Sequence, residues 1–244
     1  MKALLQKIIK WIRLLFSEQT DTETTEETSD IIEVKPEKHN VEIKIVYMKP
    51  ITIILDAGHG RETKGKRSPV LSDGRQLLEW QFTRELSNRI KKECDKYNIK
   101  CIQSNIDDKD PGLSARASNI NQIVKRESEI GRSCLMISLH GNAAGNGGWS
   151  NGKGWEVWTT EGATKSDAFA NIMCSIFPNI FPDRKLRGHK EKNFTLLYKT
   201  YCPCVLTENF FYDNEEECRL MLSEEGLERM VKLHIESIKK YIQY

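Results

Sequence analysis

The sequence predicts an α/β fold in which a mainly parallel, twisted sheet carries helices on both faces. Two segments, ITIILD at residues 51–56 and CLMISLH at residues 134–140, are almost continuously apolar, as strands buried on both faces are. Between and after them lie segments whose apolar residues recur three and four positions apart, which is the period of a helix packed on a core. Alternation of buried strands with such helices is typical of a parallel sheet with crossover helices.

The predicted elements follow one another in a regular order. An alternating segment, VEIKIVY at residues 41–47, comes first and predicts a half-buried strand at a sheet edge. Further strands are predicted at residues 51–56, 100–104, 134–140, 154–160 and 203–208. Helices are predicted at residues 78–97, 113–128, 166–177 and 227–241. We therefore expect a single domain over residues 41–244.

The first 40 residues differ in composition from this domain. Residues 1–16, MKALLQKIIKWIRLLF, predict an amphipathic helix with basic residues opposite an apolar side. The segment is too short and too charged to cross a membrane, and it does not have the pattern of a classical signal peptide. Contact with an anionic membrane surface and packing on the domain or on a partner both stay open. Residues 17–40 begin with an acidic, Thr-rich stretch and predict a flexible linker.

The composition excludes some classes of function. A net charge of +2 over 244 residues does not provide the positive field of a duplex-binding protein, so no nucleic-acid partner is expected. The seven cysteines form no CxxC pair, which indicates reduced, partly buried thiols and folding in a reducing compartment. Cys202 and Cys204 lack a second pair at zinc-finger spacing, and we interpret them as packing residues at the start of a strand.

Polar side chains stand at the ends of three predicted strands. His59 follows the first buried strand in ILDAGHG, His140 ends CLMISLH, and Glu208 ends VLTE. Because the carboxyl ends of parallel strands share one edge of the sheet, where ligands bind, we expect these side chains to be neighbours. Glu79, in LLEWQF, lies in the first turn of the next predicted helix. That helix would begin near the same edge of the sheet.

Two histidines and a carboxylate are typical of a catalytic zinc site, which keeps one position for water. A second carboxylate then stays free to transfer protons. The glycines around His59 let the backbone turn sharply and keep bulk away from a metal. From the residues alone it stays open which glutamate is the ligand. An alternative interpretation also stays open, in which the histidines are hydrogen-bonded structural residues and Glu79 interacts with its helix dipole.

These stretches resemble the amidase-3 family, the zinc-dependent N-acetylmuramoyl-L-alanine amidases. ILDAGHG, LLEWQF, LMISLHGNA, GWEVWTT and VLTENFF occur in the family order, and the resemblance covers residues 51–244. It implies one Zn²⁺ held by His59, Glu79 and His140, with Glu208 as the catalytic base. The implied reaction is hydrolysis of the amide that joins N-acetylmuramic acid to L-alanine in peptidoglycan.

The chain departs from the family pattern at two places near the site. RETKGKRSPV follows GHG, and Ser104 and Asn105 stand where the family often has a Thr-Arg pair. Trp149, in a Gly-rich loop, and Arg187, in the basic segment RKLRGHKEKNF, are the candidates for substrate contact. The alternatives are core packing for the tryptophan and a merely solvated loop for the basic segment.

Together with this resemblance, the compact single domain and the missing signal peptide suggest a phage or prophage endolysin that acts on the cell wall. We expect a monomer that is made in the cytoplasm and acts in the periplasm or wall. Membrane association through residues 1–16 is one of the two alternatives that stay open for that segment. Two other functions stay open, a zinc peptidase or carboxypeptidase that cuts stem peptides and a non-catalytic wall-binding module. The presence of all four candidate site residues argues against the second.

Overall fold

The computed structural model describes residues 30–37, 40–47, 50–145 and 147–243. Over these residues the chain forms eight strands and six helices. In chain order they are β1 (Asp30–Glu37), β2 (Asn40–Tyr47), β3 (Ile51–Ala57), α1 (Glu79–Lys96), β4 (Cys101–Gln103), α2 (Leu113–Glu129), β5 (Ser133–Asn142), β6 (Trp155–Thr159), α3 (Ser166–Ile180), β7 (Leu186–Glu191), α4 (Thr195–Lys199), β8 (Cys204–Phe211), α5 (Glu215–Met221) and α6 (Glu224–Ile242). No helix among the described residues has both the length and the apolar character needed to cross a bilayer.

Six of these strands form one sheet in the order β4-β3-β5-β8-β6-β7. The first four are parallel neighbours, as the sequence predicts. β6 runs antiparallel to β8, and β7 is parallel to β6. The reversal follows from the connection between β5 and β6, because the described part of residues 143–154 contains no helix and returns the chain without a crossover.

Helices cover both faces of the sheet, which confirms the predicted fold class. On one face, α1, α3 and α6 pack around a large apolar cluster that includes Leu86, Phe169 and Ile238. On the other face, α2 and α4 cover a smaller cluster that includes Ile120 and Leu197. The strand ends that carry the candidate site residues are thus held between two packed layers.

Three of the elements observed after residue 50 are absent from the sequence prediction. The segment RKLRGHKEKNF, expected to be a loop, contains β7, in which Lys190 pairs with Trp158 of β6. After Leu186, β7 contains no apolar side chain and therefore no apolar alternation, and all its residues except the exposed Glu191 are half-buried. Backbone pairing with β6, rather than a hydrophobic pattern, therefore decides its conformation. The helices α4 and α5 are five and seven residues long, which is too short for a clear helical period.

The N-terminal region corrects part of the predicted linker. Residues Asp30–Glu37 form β1, which pairs antiparallel with β2 from Asp30 opposite Tyr47 to Glu37 opposite Asn40. The linker prediction therefore does not hold for those eight residues. The predicted helix of residues 1–16 and the linker up to residue 29 lie outside the described residues.

The cysteines are free thiols, as expected from their spacing. Cys204 is buried at the first position of β8, and Cys202 is partly buried just before it. Burial raises the pKa of the Cys204 thiol to about 12, so it is protonated at neutral pH. This agrees with packing at a strand start rather than with metal binding.

Candidate metal centre

His59, Glu79 and His140 meet at the carboxyl edge of the sheet. One ligand atom of each residue lies within 4.8 Å of those of the other two. Nδ1 of His140 is 3.1 Å from Oε1 of Glu79, and Nε2 of His59 is 3.4 Å from the same oxygen. The two imidazole rings approach edge to face with their centroids 4.9 Å apart. The proximity expected from the strand ends is therefore observed.

His59 follows β3 in a strained backbone conformation. Its φ of 63° lies in the left-handed region, which residues other than glycine seldom adopt. The buried guanidinium of Arg84, on α1, donates hydrogen bonds to the carbonyl oxygens of Ala57 at 3.1 Å, Gly58 at 3.0 Å and His59 at 2.7 Å. The Thr83 hydroxyl donates to the Gly58 carbonyl at 2.9 Å. Helix α1 thereby fixes the loop that presents His59.

The two glycines beside His59 permit close contacts that no other residue would. A Cβ on Gly58 would lie 2.3 Å from Cε1 of His140, inside the imidazole ring's van der Waals envelope. A Cβ on Gly60 would lie 2.3 Å from the backbone nitrogen of Asp110. The first glycine makes room for the second histidine, and the second lets the next loop pack on the site.

Glu79 is the first residue of α1 and is completely buried. Its Oε1 accepts a hydrogen bond from the backbone N–H of Gly141 at 3.1 Å, while Oε2 is buried without a partner among the described residues. Burial raises its pKa, but hydrogen bonds with His140 and His59 outweigh this and lower the pKa to about 2. The carboxylate is thus ionised, with one oxygen free for a ligand.

These donors fit a divalent metal ion. Burial lowers the pKa of His140 against the opposing effect of Glu79, which favours the neutral imidazole that metals bind. Two imidazoles and a carboxylate with an unpartnered oxygen are the ligand set of many catalytic zinc sites. The three residues could therefore hold such an ion and leave a coordination position for water.

Glu208 lies beside this cluster without being part of it. In the sheet it is directly opposite His140 of β5 and Glu156 of β6, so the three side chains share one face. Its Oε2 is buried and has no partner among the described residues. Burial, and then the negative charges of Glu79 and Glu156, raise its pKa well above the ordinary value. A carboxyl shifted in this way is suited to exchanging a proton.

A buried ion pair connects β3 with α2 next to the candidate metal centre. Arg116, in DPGLSAR at the start of α2, forms two hydrogen bonds with the carboxylate of Asp56 at the end of β3. The Ser138 hydroxyl, on β5, donates to the same carboxylate at 2.7 Å. Burial raises the pKa of Asp56, but Arg116 and Ser138 outweigh this and hold it below its usual range. Asp56 thus connects β3, β5 and α2, and it lies close in sequence to His59.

The two predicted substrate contacts occupy different positions. Trp149 is 39% exposed in the loop between β5 and β6, and Asp213 anchors that loop through the backbone N–H groups of Ala144 and Gly145. Arg187 lies in β7, where its Nε donates to the Glu156 carboxylate and its guanidinium stacks over the Phe211 ring at 5.0 Å. Arg187 is therefore connected to the strand next to Glu208.

Sequence reasoning missed Arg84 and Glu156 as parts of the site. In the sequence, Arg84 is a charged residue between apolar helix positions. A buried cation and a solvated one give this same pattern, so the sequence does not distinguish them. Glu156 lies within GWEVWTT, where an inward glutamate between tryptophans is a stronger signal of a buried carboxylate.

The comparison with known protein families identifies the chain. The model of one family, Amidase_3, described as N-acetylmuramoyl-L-alanine amidase, matches residues 53–240. The chain belongs to the amidase-3 family. The matched region contains His59, Glu79, His140 and Glu208, and the resemblance predicted from the sequence is confirmed.

Two relatives of this amidase-3 chain match over most of the domain. The endolysin of Bacillus phage SPP1 is 26% identical over 194 residues, which are 77% of this chain and 65% of the endolysin. The N-acetylmuramoyl-L-alanine amidase CwlM of Bacillus licheniformis is 25% identical over 191 residues, or 78% of this chain and 68% of CwlM. The match thus spans about two thirds of each relative's length.

Solved structures share the fold of this amidase-3 domain. The N-acetylmuramoyl-L-alanine amidase from Clostridium difficile 630 superposes with a TM-score of 0.67 at 23% identity, over 79% of this chain and 97% of that chain. The catalytic domain of CwlV, an N-acetylmuramoyl-L-alanine amidase from Bacillus (Paenibacillus) polymyxa, superposes with a TM-score of 0.63 at 24% identity, over 80% and 98%. At these identities the likeness establishes the common architecture.

Proposed function

We propose that this chain is a zinc-dependent amidase that hydrolyses the bond between N-acetylmuramic acid and L-alanine in peptidoglycan. The observation that carries the proposal is the meeting of His59, Glu79 and His140 beside Glu208. Membership of the amidase-3 family supports the reaction and the substrate, and the donor set supports the metal. When bound, zinc supplies Lewis-acid polarisation of a carbonyl and lowers the pKa of water.

The residues of the chain divide the remaining work between them. His59, Glu79 and His140 hold their positions through Arg84, the Gly141 N–H and the close packing at Gly58. Glu208 accepts a proton from the attacking water and donates it to the nitrogen of L-alanine as the carbon–nitrogen bond breaks. The products are a lactyl carboxyl group and a free amine, so atoms and protons balance.

The proposed place of action is the cell wall. The relationship to a phage endolysin supports lysis of peptidoglycan as the biological role. We further propose a monomer made in the cytoplasm, with residues 1–16 associating with an anionic membrane surface. The four basic residues of that segment support this part of the proposal.

Metal analysis combined with product analysis tests the proposed function. Zinc content and cleavage of purified peptidoglycan are measured for the parent, His140→Ala and Glu208→Gln. We expect His140→Ala to lose zinc and activity, because one of three ligands is removed. We expect Glu208→Gln to retain zinc and lose about 10²- to 10⁴-fold in rate, because only proton transfer is lost.

The products distinguish the proposed reaction from its alternatives. An amidase releases intact stem peptides with a free L-alanine amine, whereas a peptidase leaves peptide stubs on the glycan. Near-parental turnover of Glu208→Gln would contradict its role as the base. Binding to peptidoglycan without any cleavage by the zinc-loaded parent would indicate a wall-binding module instead.

A further inference from the structure

Residues paired across four neighbouring strands form a lateral row that runs from the candidate metal centre to β7. His140 of β5 pairs with Glu208 of β8, Glu208 pairs with Glu156 of β6, and Glu156 pairs with Gly188 of β7. Directly opposed residues point to the same face, and neighbouring strands are about 4.8 Å apart. The face that carries His140 and Glu208 therefore continues for about 14 Å to β7.

The centre of this lateral row is the carboxylate of Glu156. The residue is 3% exposed, and four side chains donate hydrogen bonds to it. Asn142 and Trp158 donate to Oε1 at 2.9 and 3.0 Å, while Arg187 and Lys190 donate to Oε2, the lysine at 2.6 Å. Two cations share one carboxylate, so this group carries an excess positive charge of one.

The two cations keep donors that Glu156 does not use. Arg187 stacks on the Phe211 ring at 5.0 Å, and the Lys190 ammonium lies 5.1 Å from the centre of the Trp158 ring. Each side chain is 30% exposed. A guanidinium has five N–H donors and an ammonium has three, so both still offer donors toward solvent. Their contacts with Glu156 and with the aromatic rings fix the positions of Arg187 and Lys190, so together they form a positively charged surface of defined geometry.

We propose that Arg187 and Lys190, positioned by Glu156, form a carboxylate-binding subsite for the peptide part of the substrate. The inference rests on the proposed function, because it assumes that a peptide leaves across this face. A separation of about 14 Å corresponds to about four extended residues, so a carboxylate on a short stem peptide reaches it. Arginine and lysine together recognise such a group by charge-assisted hydrogen bonds.

The test compares two forms of one ligand, an N-acetylmuramyl-L-alanyl peptide with its carboxylates free or converted to amides. Binding is measured by calorimetry on full-length Glu208→Gln protein, which we expect to cleave the ligand about 10²- to 10⁴-fold more slowly than the parent. We expect the free-acid form to bind about 10- to 100-fold more tightly than the amide, as hydrogen bonds to a charged group allow. Arg187→Gln and Lys190→Gln, introduced singly so that Glu156 keeps one cation, should each reduce this preference at least fivefold.

A matched control removes a charge that does not touch Glu156. Lys192 stacks on Phe194 at 5.1 Å just beyond β7, and Lys192→Gln should leave the preference for the acid unchanged. Equal binding of the acid and the amide, or an unchanged preference in Arg187→Gln and Lys190→Gln, overturns the subsite. If the acid is preferred but the parent cleaves neither form, the proposed function fails while the subsite stands.

Discussion

Gly58, which has no side chain, shows how closely the candidate centre is packed. The ring of His140 occupies the space that a Cβ on Gly58 would need, and the preceding strand residue Ala57 is fully buried. Next to it, His59 keeps a left-handed backbone held by Arg84. The position of the His140 ring therefore depends on a residue that contributes no functional group.

Substitution of Gly58 by alanine tests this dependence. A Cβ 2.3 Å from Cε1 of His140 forces the imidazole to move, so we expect Gly58→Ala to lose at least 10-fold in zinc affinity. The affinity is measured by competition with a chelator, and circular dichroism checks that the fold is kept. Gly148→Ala is the control, since nothing lies within 4 Å of its Cβ position. Equal zinc affinity of the two variants would contradict the packing argument.

At the scale of elements, α6 is connected to the sheet through a buried histidine. His234 is fully buried on the apolar face of the helix. Its Nδ1 bonds to the carbonyl oxygen of Met230 at 2.8 Å, and the Thr207 hydroxyl of β8 lies 3.3 Å from its Nε2. Burial lowers the pKa of His234 to about 4, so the folded protein keeps it neutral.

This shift predicts a pH dependence of stability. Between about pH 6.5 and pH 4 the unfolded chain binds a proton at His234 that the folded chain does not, so stability falls as the pH falls through this window. The loss approaches about 3 kcal/mol at pH 4. Urea unfolding of the parent and of His234→Gln at pH 7, 5.5 and 4.5 measures it. The variant should lose less stability on acidification. The same dependence of the free energy of unfolding on pH in both proteins would contradict the role given to His234.

At the scale of the whole molecule, the domain is joined to an N-terminal segment whose composition is different. Residues 1–16 carry Lys2, Lys7, Lys10 and Arg13 among apolar residues, and the family match begins only at residue 53. Each basic residue near an anionic bilayer contributes about 1 kcal/mol of attraction. This pattern supports a membrane-binding role for the segment that is separate from hydrolysis.

Replacing the four basic residues by glutamine tests that role at constant chain length. We expect binding to vesicles that contain anionic lipid to fall at least 10-fold, because the electrostatic attraction is lost. Cleavage of soluble peptidoglycan fragments should not change, since all candidate site residues lie in the domain. Sedimentation with vesicles gives the first result and product chromatography the second. Unchanged vesicle binding would favour packing of the segment on a protein surface.

Much of this molecule can be predicted from local features of the chain. The apolar runs identify β3, β5 and β8, and helical periods identify α1, α2, α3 and α6. The residues at the strand ends then indicate the candidate centre, because parallel strands bring their carboxyl ends to one edge. These predictions succeed where a short stretch of sequence carries the signal by itself.

The sequence by itself determined the α/β class, the family and the residues that meet at the sheet edge, since each has a local period or motif. Residue spacing left open which glutamate joins the histidines. The family resemblance implied Glu79, and the tertiary structure places Glu79 with the histidines and Glu208 beside them. Only the tertiary structure decided that β6 and β7 run against the other strands and that Arg187 and Lys190 share Glu156. These features depend on contacts between residues distant in the chain, and no local pattern specifies which distant partners meet.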